Sequence, residues 1–125
     1  MTARARSAAL ALVVVAAGCA SEPLTLAQPR AVSGMPLTPY EARGECVRLA
    51  QGDRLEYRFE ASEPVTFEIR YREGFATIAP VVRDASLGDA GIFVAALPRD
   101  YCVVWEAGVA GALVDYRLRR RAAAE

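Results

Sequence analysis

The chain lacks two residue types that catalytic and metal sites commonly use, because its 125 residues include no histidine and no lysine. Without histidine there is no ordinary imidazole base near neutral pH, and the commonest protein ligand of zinc is missing. Without lysine no Schiff-base chemistry is available. We therefore expect no metal site and no cofactor, and we attribute the exclusive use of arginine to a GC-rich coding sequence.

The chain also carries no net charge, since 15 arginines balance 15 acidic residues. The first 18 residues hold two of the arginines, so the remaining 107 residues carry 13 arginines against 15 acidic residues. This small negative balance argues against nucleic acid as a partner, because phosphate binding needs a basic face. A length of 107 residues suits a single domain.

The sequence has no apolar run of the roughly 20 residues that a transmembrane helix needs. Two arginines without an acidic residue precede a short stretch of small apolar residues that ends at Gly18. This pattern predicts a secretory signal peptide over residues 1–18.

The end of this leader, Ala16-Ala17-Gly18-Cys19, resembles the lipobox of bacterial lipoproteins, with Ala16 where leucine is commonest. The resemblance implies that Cys19 is acylated and becomes the new N-terminus; the alternative is an ordinary secretory leader. The next two residues lack the aspartate that resembles an inner-membrane retention signal. We therefore expect a lipid-anchored envelope protein, at the outer membrane rather than the inner membrane.

Only two cysteines remain once Cys19 is assigned to lipid, namely Cys46 and Cys102. An even pair in an oxidising, exported compartment is most simply a disulfide. Two free buried thiols are the alternative.

The rest of the chain divides by composition. Residues 19–43 hold four of the seven prolines and show no periodicity. This composition predicts a flexible tether that its prolines make semi-rigid. Residues 44–119 consist of short alternating runs separated by turn residues. This pattern predicts an all-β fold, a small antiparallel β-sandwich of about seven strands. Residues 120–125 are predicted to be a frayed tail; its arginines are candidates for contact with anionic lipid or are simply solvated.

The most strand-like run, residues 101–106, contains the only tryptophan. Tyr101, Val103 and Trp105 share one face by the period-two rule, and we expect this face to lie in the core. Residues 55–60 and 65–72 also alternate clearly. If they pair as a hairpin, Arg58 lies opposite Glu68 and Glu56 opposite Arg70, so these charges would form cross-strand pairs. Pro80 marks the weak strand around it as an edge or bulged strand.

The longest predicted loop covers residues 83–91. Its oxygen-rich side chains could hold calcium in principle, but their spacing matches no calcium loop, and turn chemistry explains them. Because binding usually resides on loops carried by a rigid scaffold, this segment is the candidate binding loop. The candidate binding residues are Asp84, Ser86, Leu87 and Asp89.

The order of these features resembles the GOLD domain, a small β-sandwich of secretory-pathway cargo proteins and some lipid-transfer proteins. In cargo-type members a cysteine of the first strand bonds one of the penultimate strand, which implies a bond between Cys46 and Cys102; here Cys102 stands two residues earlier than in that pattern. The resemblance implies a non-enzymatic interaction role and names no partner. The matching positions are Cys46, Leu49, Gly52, Leu55 to Phe59, Gly91, Phe93, Tyr101 to Trp105, and Val114-Asp115-Tyr116.

Three functions remain open at this point. The first is a monomeric interaction module that binds another envelope protein through its surface. The second is a carbohydrate- or small-ligand-binding module, with a stacking platform made of Tyr40, Phe75 or Tyr101. The third is a hydrolase with paired carboxylates, for which the only candidates are Asp84 with Asp89 and Asp100 with Glu106.

Overall fold

The structure, a computed structural model, describes Thr2, Ala11 and residues 22–123. The predicted lipobox with Cys19 lies outside the described residues, as does almost all of the predicted signal peptide. The described chain contains strands and no helix, so the predicted all-β fold is confirmed. The strands are β1 (Arg30–Leu37), β2 (Ala42–Leu49), β3 (Arg54–Glu73), β4 (Ala76–Val94), β5 (Arg99–Ala107) and β6 (Ala112–Arg121).

All six strands belong to one antiparallel sheet that curls around the long strand β3. One edge of β3 pairs with β4 from end to end. The other edge pairs first with β6, over residues 54–61, and then with β5, over residues 65–70. Strands β1 and β2 extend β6 and β5, respectively. We call β1, β6 and the first half of β3 the first lobe, and β2, β5 and the second half of β3 the second lobe.

The predicted hairpin of residues 55–60 and 65–72 is wrong, because the two runs belong to one strand that bends between the lobes. Glu60 pairs with Gly88 and Val65 pairs with Ser86, so four residues of β3 face a single residue of β4. Residues 61–64 therefore form a wide bulge, and β3 continues instead of folding back on itself. A bulge accommodates Pro64 because no ladder hydrogen bond is needed there.

The predicted charge pairs of that hairpin are consequently wrong. Arg58 lies opposite Arg117 of β6, and Glu68 lies opposite Val104 of β5. Glu56 forms its ion pair with Arg121 at 2.6 Å, not with Arg70.

The predicted loop over residues 83–91 is also wrong, because the whole segment belongs to β4. Its turn-forming residues build a second bulge. Between the pairs Arg83–Phe67 and Ser86–Val65, two residues of β4 face one residue of β3. Ala85, in this bulge, has a positive φ of 46°. A third register shift places Pro80 in a bulge of this edge strand, as predicted.

The predicted flexible tether is wrong for residues 30–37, which form β1. Pro36, the one proline within β1, is tolerated because β1 is an edge strand and its outer N–H groups need no partner. The chain is ordered even before β1. Leu24 forms a parallel bridge to Val47 of β2, and Leu26 is buried in the core.

Six strands replace the roughly seven predicted for two reasons. Strands β3 and β4 each unite two segments that the sequence separated, and β1 was not predicted. The predicted frayed tail is likewise shorter, since Arg120 and Arg121 belong to β6. No helix that could span a membrane is found in the part of the chain that the structure describes.

The core lies between the inner faces of the two lobes. Tyr101, Val103 and Trp105 are all buried, so the predicted core face is confirmed. The Trp105 ring stacks on Tyr116 of β6 with 4.3 Å between the ring centroids, which joins the second lobe to the first. Phe59 and Phe67, on either side of the bend in β3, also pack together.

The predicted disulfide between Cys46 and Cys102 is present. The two residues lie directly opposite each other on β2 and β5, on the outer face of the second lobe. Both are partly exposed, because the inner positions of these strands are occupied by core residues such as Val47 and Val103.

Candidate functional site

The outer face of the first lobe carries four directly opposed charged pairs between β3 and β6, three of like charge and one, Glu56 with Arg119, of opposite charge. The register of β3 on β6 sets residues of like charge directly opposite each other, which destabilises a sheet instead of supporting it. Binding sites often keep such unfavourable arrangements, so we take this face as the candidate site. The like-charged pairs are Arg54 with Arg121, Arg58 with Arg117, and Glu60 with Asp115.

A groove open to solvent crosses this face over β1, β6, β3 and β4, with a volume of about 650 Å³. A smaller groove of about 330 Å³ shares Ala31, Arg58 and Arg117 with it. We treat the two as one and call it the outer groove. Its β4 wall is apolar, since Ile92 stands 62% exposed on the outer side of the sheet.

The outer groove carries more positive charge than its own acidic residues neutralise. Arg121 binds Glu56 at 2.6 Å, and Arg58 approaches Glu60 at 3.8 Å. Arg117 and Arg119 have no carboxylate within 4 Å among the described residues. The groove can therefore accept an anion at its arginine-rich end, near the end of β6.

Asp53 fixes the end of β6 and thereby the direction of these arginines. It is 3% exposed and lies in the turn between β2 and β3. Its carboxylate accepts hydrogen bonds from the backbone N–H of Ala50 at 2.9 Å, from that of Ala123 at 3.1 Å and from Arg120 at 3.1 Å. With Arg120 held inward, the alternation of the strand places Arg119 and Arg121 outward.

Burial raises the pKa of Asp53, but the hydrogen bonds from Ala50, Ala123 and Arg120 together with the charge of Arg120 outweigh it, so the pKa is lowered overall. We expect Asp53→Asn to lower the free energy of unfolding by about 2 kcal/mol, because hydrogen bonds to a charged group are weakened. The folded pKa lies below the ordinary value of about 3.9. The contribution is therefore complete above that value and is lost as the pH falls through the folded pKa.

Denaturant unfolding of both proteins at several pH values checks this prediction. Asp84→Asn is the matched control, since it removes the same charge from an exposed position and should change stability by less than about 0.5 kcal/mol. A deficit of Asp53→Asn that stays constant down to pH 2 would contradict the assigned role.

The candidate binding residues of the predicted loop do not form a site of their own. Asp89 accepts a hydrogen bond from the Tyr57 hydroxyl at 3.1 Å and pairs with Arg83 at 3.2 Å, so it is tied into the sheet. Burial, followed by the nearby Asp89 carboxylate, raises the pKa of Tyr57. Ser86 bonds within its own turn to the backbone of Gly88, at 2.9 Å and 3.2 Å. Asp84 and Leu87 are exposed.

Of the two carboxylate pairs considered for a hydrolase, Asp100 and Glu106 are too far apart to act together. Asp100 binds Arg48 at 2.9 Å. Glu106 lies six residues further along the same face of β5, which corresponds to about 20 Å at the rise of a strand. Paired catalytic carboxylates stand about 5–9.5 Å apart.

The three aromatic residues considered for a stacking platform are not all available at the surface. Tyr101 is buried in the core. Tyr40 lies in the turn between β1 and β2, and Phe75 lies in the turn between β3 and β4, and both are exposed. Among the described residues, no three His, Cys, Asp or Glu side chains are grouped as a metal site would require.

A second groove of about 700 Å³ covers the outer face of the second lobe. The disulfide forms part of its floor, and Arg43, Arg70 and Arg72 line it. Arg70 pairs with Glu68 at 3.5 Å and Arg43 approaches Glu41 at 3.8 Å, whereas Arg72 and Arg99 have no carboxylate within 4 Å among the described residues.

A polar cluster that the sequence gave no reason to expect links the two ends of the sheet. Arg30 of β1 forms an ion pair with Glu45 of β2. Tyr116 lies beside them, and its burial, followed by hydrogen bonding to Glu45, raises the pKa of Tyr116 to about 12. The cluster brings the free edges of β1 and β2 together, so it has a structural role.

Comparison of the sequence with protein-family models gives no match, and a search of the curated proteins gives no match either. The assignment of a function therefore depends on the residues themselves. The resemblance to the GOLD domain stays a prediction.

Proposed function

We propose that this protein is a lipid-anchored component of the cell envelope that acts as a non-enzymatic interaction module. The lipobox resemblance of Ala16 to Cys19 supports the anchor. The surplus of arginine in the outer groove, next to like-charged pairs that oppose folding, is the observation that supports binding through a surface. The domain binds its partner through this face and carries out no chemistry.

The anchor would hold the domain close to the membrane. The backbone of Leu24 is fixed to β2 by two hydrogen bonds, from its N–H to Cys46 and from the N–H of Arg48 to its carbonyl. Only four residues therefore separate the acylated Cys19 from Leu24, and the five steps of chain between these two residues reach at most about 18 Å. This is much shorter than the tether expected from the proline content alone.

Replacing Cys19 with Ala should abolish metabolic labelling with a radioactive fatty acid and leave an uncleaved or mislocalised precursor, because thioether acylation requires that sulfur. The double variant Cys46→Ala/Cys102→Ala is the control, and it should label like the wild type. Fractionation of inner and outer membranes locates the anchored protein, which we expect in the outer membrane. Labelling that persists in Cys19→Ala would refute the anchor.

The interaction role is tested by cross-linking in intact cells. A photoreactive residue at position 117 should capture a component of the envelope, whereas the same residue at position 72, in the second lobe, should capture much less. Equal capture from both positions would count against the outer groove as the binding face.

A further inference from the structure

Strand β4 has an outer edge that pairs with no other strand among the described residues. At its end, the N–H of Ala95 donates to the carbonyl of Asp53, so the backbone of Ala95 points to the β3 side. These directions alternate along an antiparallel strand, and the last part of β4 pairs with β3 without a register shift. The N–H and C=O groups of Ala90, Ile92 and Val94 therefore point to the free side, where they can bond one more strand.

The last part of β4 also lacks the devices that usually protect a sheet edge, namely prolines, bulges and charged residues. All three occur earlier in the strand, with Pro80, the bulge at Ala85 and charged residues as far as Asp89. Residues 90–94, which we call the open edge, contain neither proline nor charge and have no bulge. An apolar, unprotected edge is a site at which another strand can add to the sheet.

The side chains of the open edge complement a second copy of themselves. In an antiparallel pair centred on Ile92, this residue lies opposite its own copy, and Ala90 lies opposite Val94 of the second copy. Ile92 and Val94 are 62% and 53% exposed, so both have apolar surface to bury. On the inner face, the half-buried Phe93 lies opposite Gly91 of the second copy. An aromatic side chain covers a glycine well across two strands.

The charges around the open edge fit the same register. With Ile92 on the two-fold axis, Asp89 lies beyond the paired stretch, so no like charges meet. A register centred on Gly91 would instead set Asp89 opposite the ring of Phe93. A partner selected by its charge would find no charged group on the open edge to recognise. The two-fold pairing uses the same surface on both copies, so it gives a closed dimer.

We infer that two copies of this chain associate through the open edge of β4, antiparallel and with Ile92 on the two-fold axis. This inference goes beyond the proposed function, does not depend on the anchor, and replaces the monomer expected from the sequence. The pairing continues the sheet of the first lobe from one copy into the other. The two outer grooves then lie side by side on one face of the joined sheet.

Cysteine cross-linking of the full-length mature protein tests both the association and its register. In Ile92→Cys, the two new residues face each other with about 5.5 Å between their Cα atoms, which a disulfide can bridge. In Val94→Cys, the two new residues lie more than about 13 Å apart. Mild oxidation should therefore convert Ile92→Cys into a covalent dimer and leave Val94→Cys uncross-linked. A mixture of Ala90→Cys and Val94→Cys chains should cross-link, because these positions face each other.

Sedimentation equilibrium in a mild detergent measures the association without a cross-link. We expect the wild type to have the protein mass of two chains. Ile92→Lys should have the mass of one chain, because two like charges would then meet on the axis. Leu87→Lys is the matched control, since Leu87 is 57% exposed on the same strand but lies outside the open edge, and this variant should stay dimeric.

Three outcomes would overturn the inference. The first is a wild type with the mass of one chain together with no covalent dimer of Ile92→Cys. The second is equal cross-linking of Ile92→Cys and Val94→Cys, which indicates random collision and no fixed register. The third is a dimer that persists in Ile92→Lys, which would place the contact elsewhere. Each of these outcomes leaves the outer groove as the proposed binding face, so the two proposals fail separately.

Discussion

Replacing Trp105 with Ala should lower the free energy of unfolding by about 4 kcal/mol, within the range for truncation of a buried large aromatic side chain. Trp105 has no exposed surface, and its ring centroid lies 4.3 Å from that of Tyr116 and 5.5 Å from that of Phe67. The truncation therefore leaves a cavity between the two lobes. For a domain of this size the melting temperature should fall by roughly 15–30 °C, which thermal unfolding measures directly.

Two further variants show whether packing is the cause. Trp105→Phe should cost much less, because no described protein atom accepts a hydrogen bond from the buried indole N–H, and phenylalanine still fills most of the space. Phe75→Ala removes an aromatic ring from an exposed turn and should stay within about 0.5 kcal/mol of the wild type. A Trp105→Ala protein with wild-type stability would show that the lobes do not depend on this contact.

The alternation of residues was sufficient to predict which faces are buried. Tyr101, Val103 and Trp105 were assigned to the core because a strand places every second side chain on one side. The two alternating runs of β3 follow the same rule on both sides of its bend, where every second residue from 55 to 59 and from 65 to 69 is buried. Burial on one face is a local property of a strand, so a sequence pattern reports it well.

The pattern could not show how the strands are connected. A Ser-Glu-Pro stretch after an alternating run fits a hairpin turn and a wide bulge equally well, and residues 61–64 form the bulge because β6 and β5 occupy the edge of β3. Strand β1 was missed for a related reason. Pro36 within it and the flanking Pro29 and Pro39 argue against a strand in general but not against a strand at the edge of a sheet.

The candidate site was beyond sequence reasoning because it depends on register between distant segments. Arg58 and Arg117 are 59 positions apart, and only the pairing of β3 with β6 sets them opposite each other. The role of the buried Asp53 is equally hidden, since nothing local in the sequence shows that its carboxylate holds Arg120 and the backbone of Ala123. The alternating arginines of β6 were a weak signal, and a tail of solvated charges has the same composition.

The disulfide is placed where its contribution can be measured separately from packing. Cys46 and Cys102 face outward from the second lobe, and the segment between them contains all of β3 and β4. Replacing both residues with Ala removes little buried apolar surface, because each cysteine is partly exposed. The effect of the double variant therefore reports the cross-link itself.

We expect Cys46→Ala/Cys102→Ala to lower the free energy of unfolding by about 4 kcal/mol, which the chain-entropy model gives for a closed loop of this length. The cross-link restricts the unfolded chain, so its removal favours unfolding even though the folded sheet keeps its ladder hydrogen bonds. In denaturant unfolding, a reductant should shift the midpoint of the wild type to that of the double variant. The same reductant should leave the midpoint of the double variant unchanged. If both thiols react with an alkylating reagent without prior reduction, or if the double variant unfolds at the wild-type midpoint, the cross-link does not stabilise the native protein.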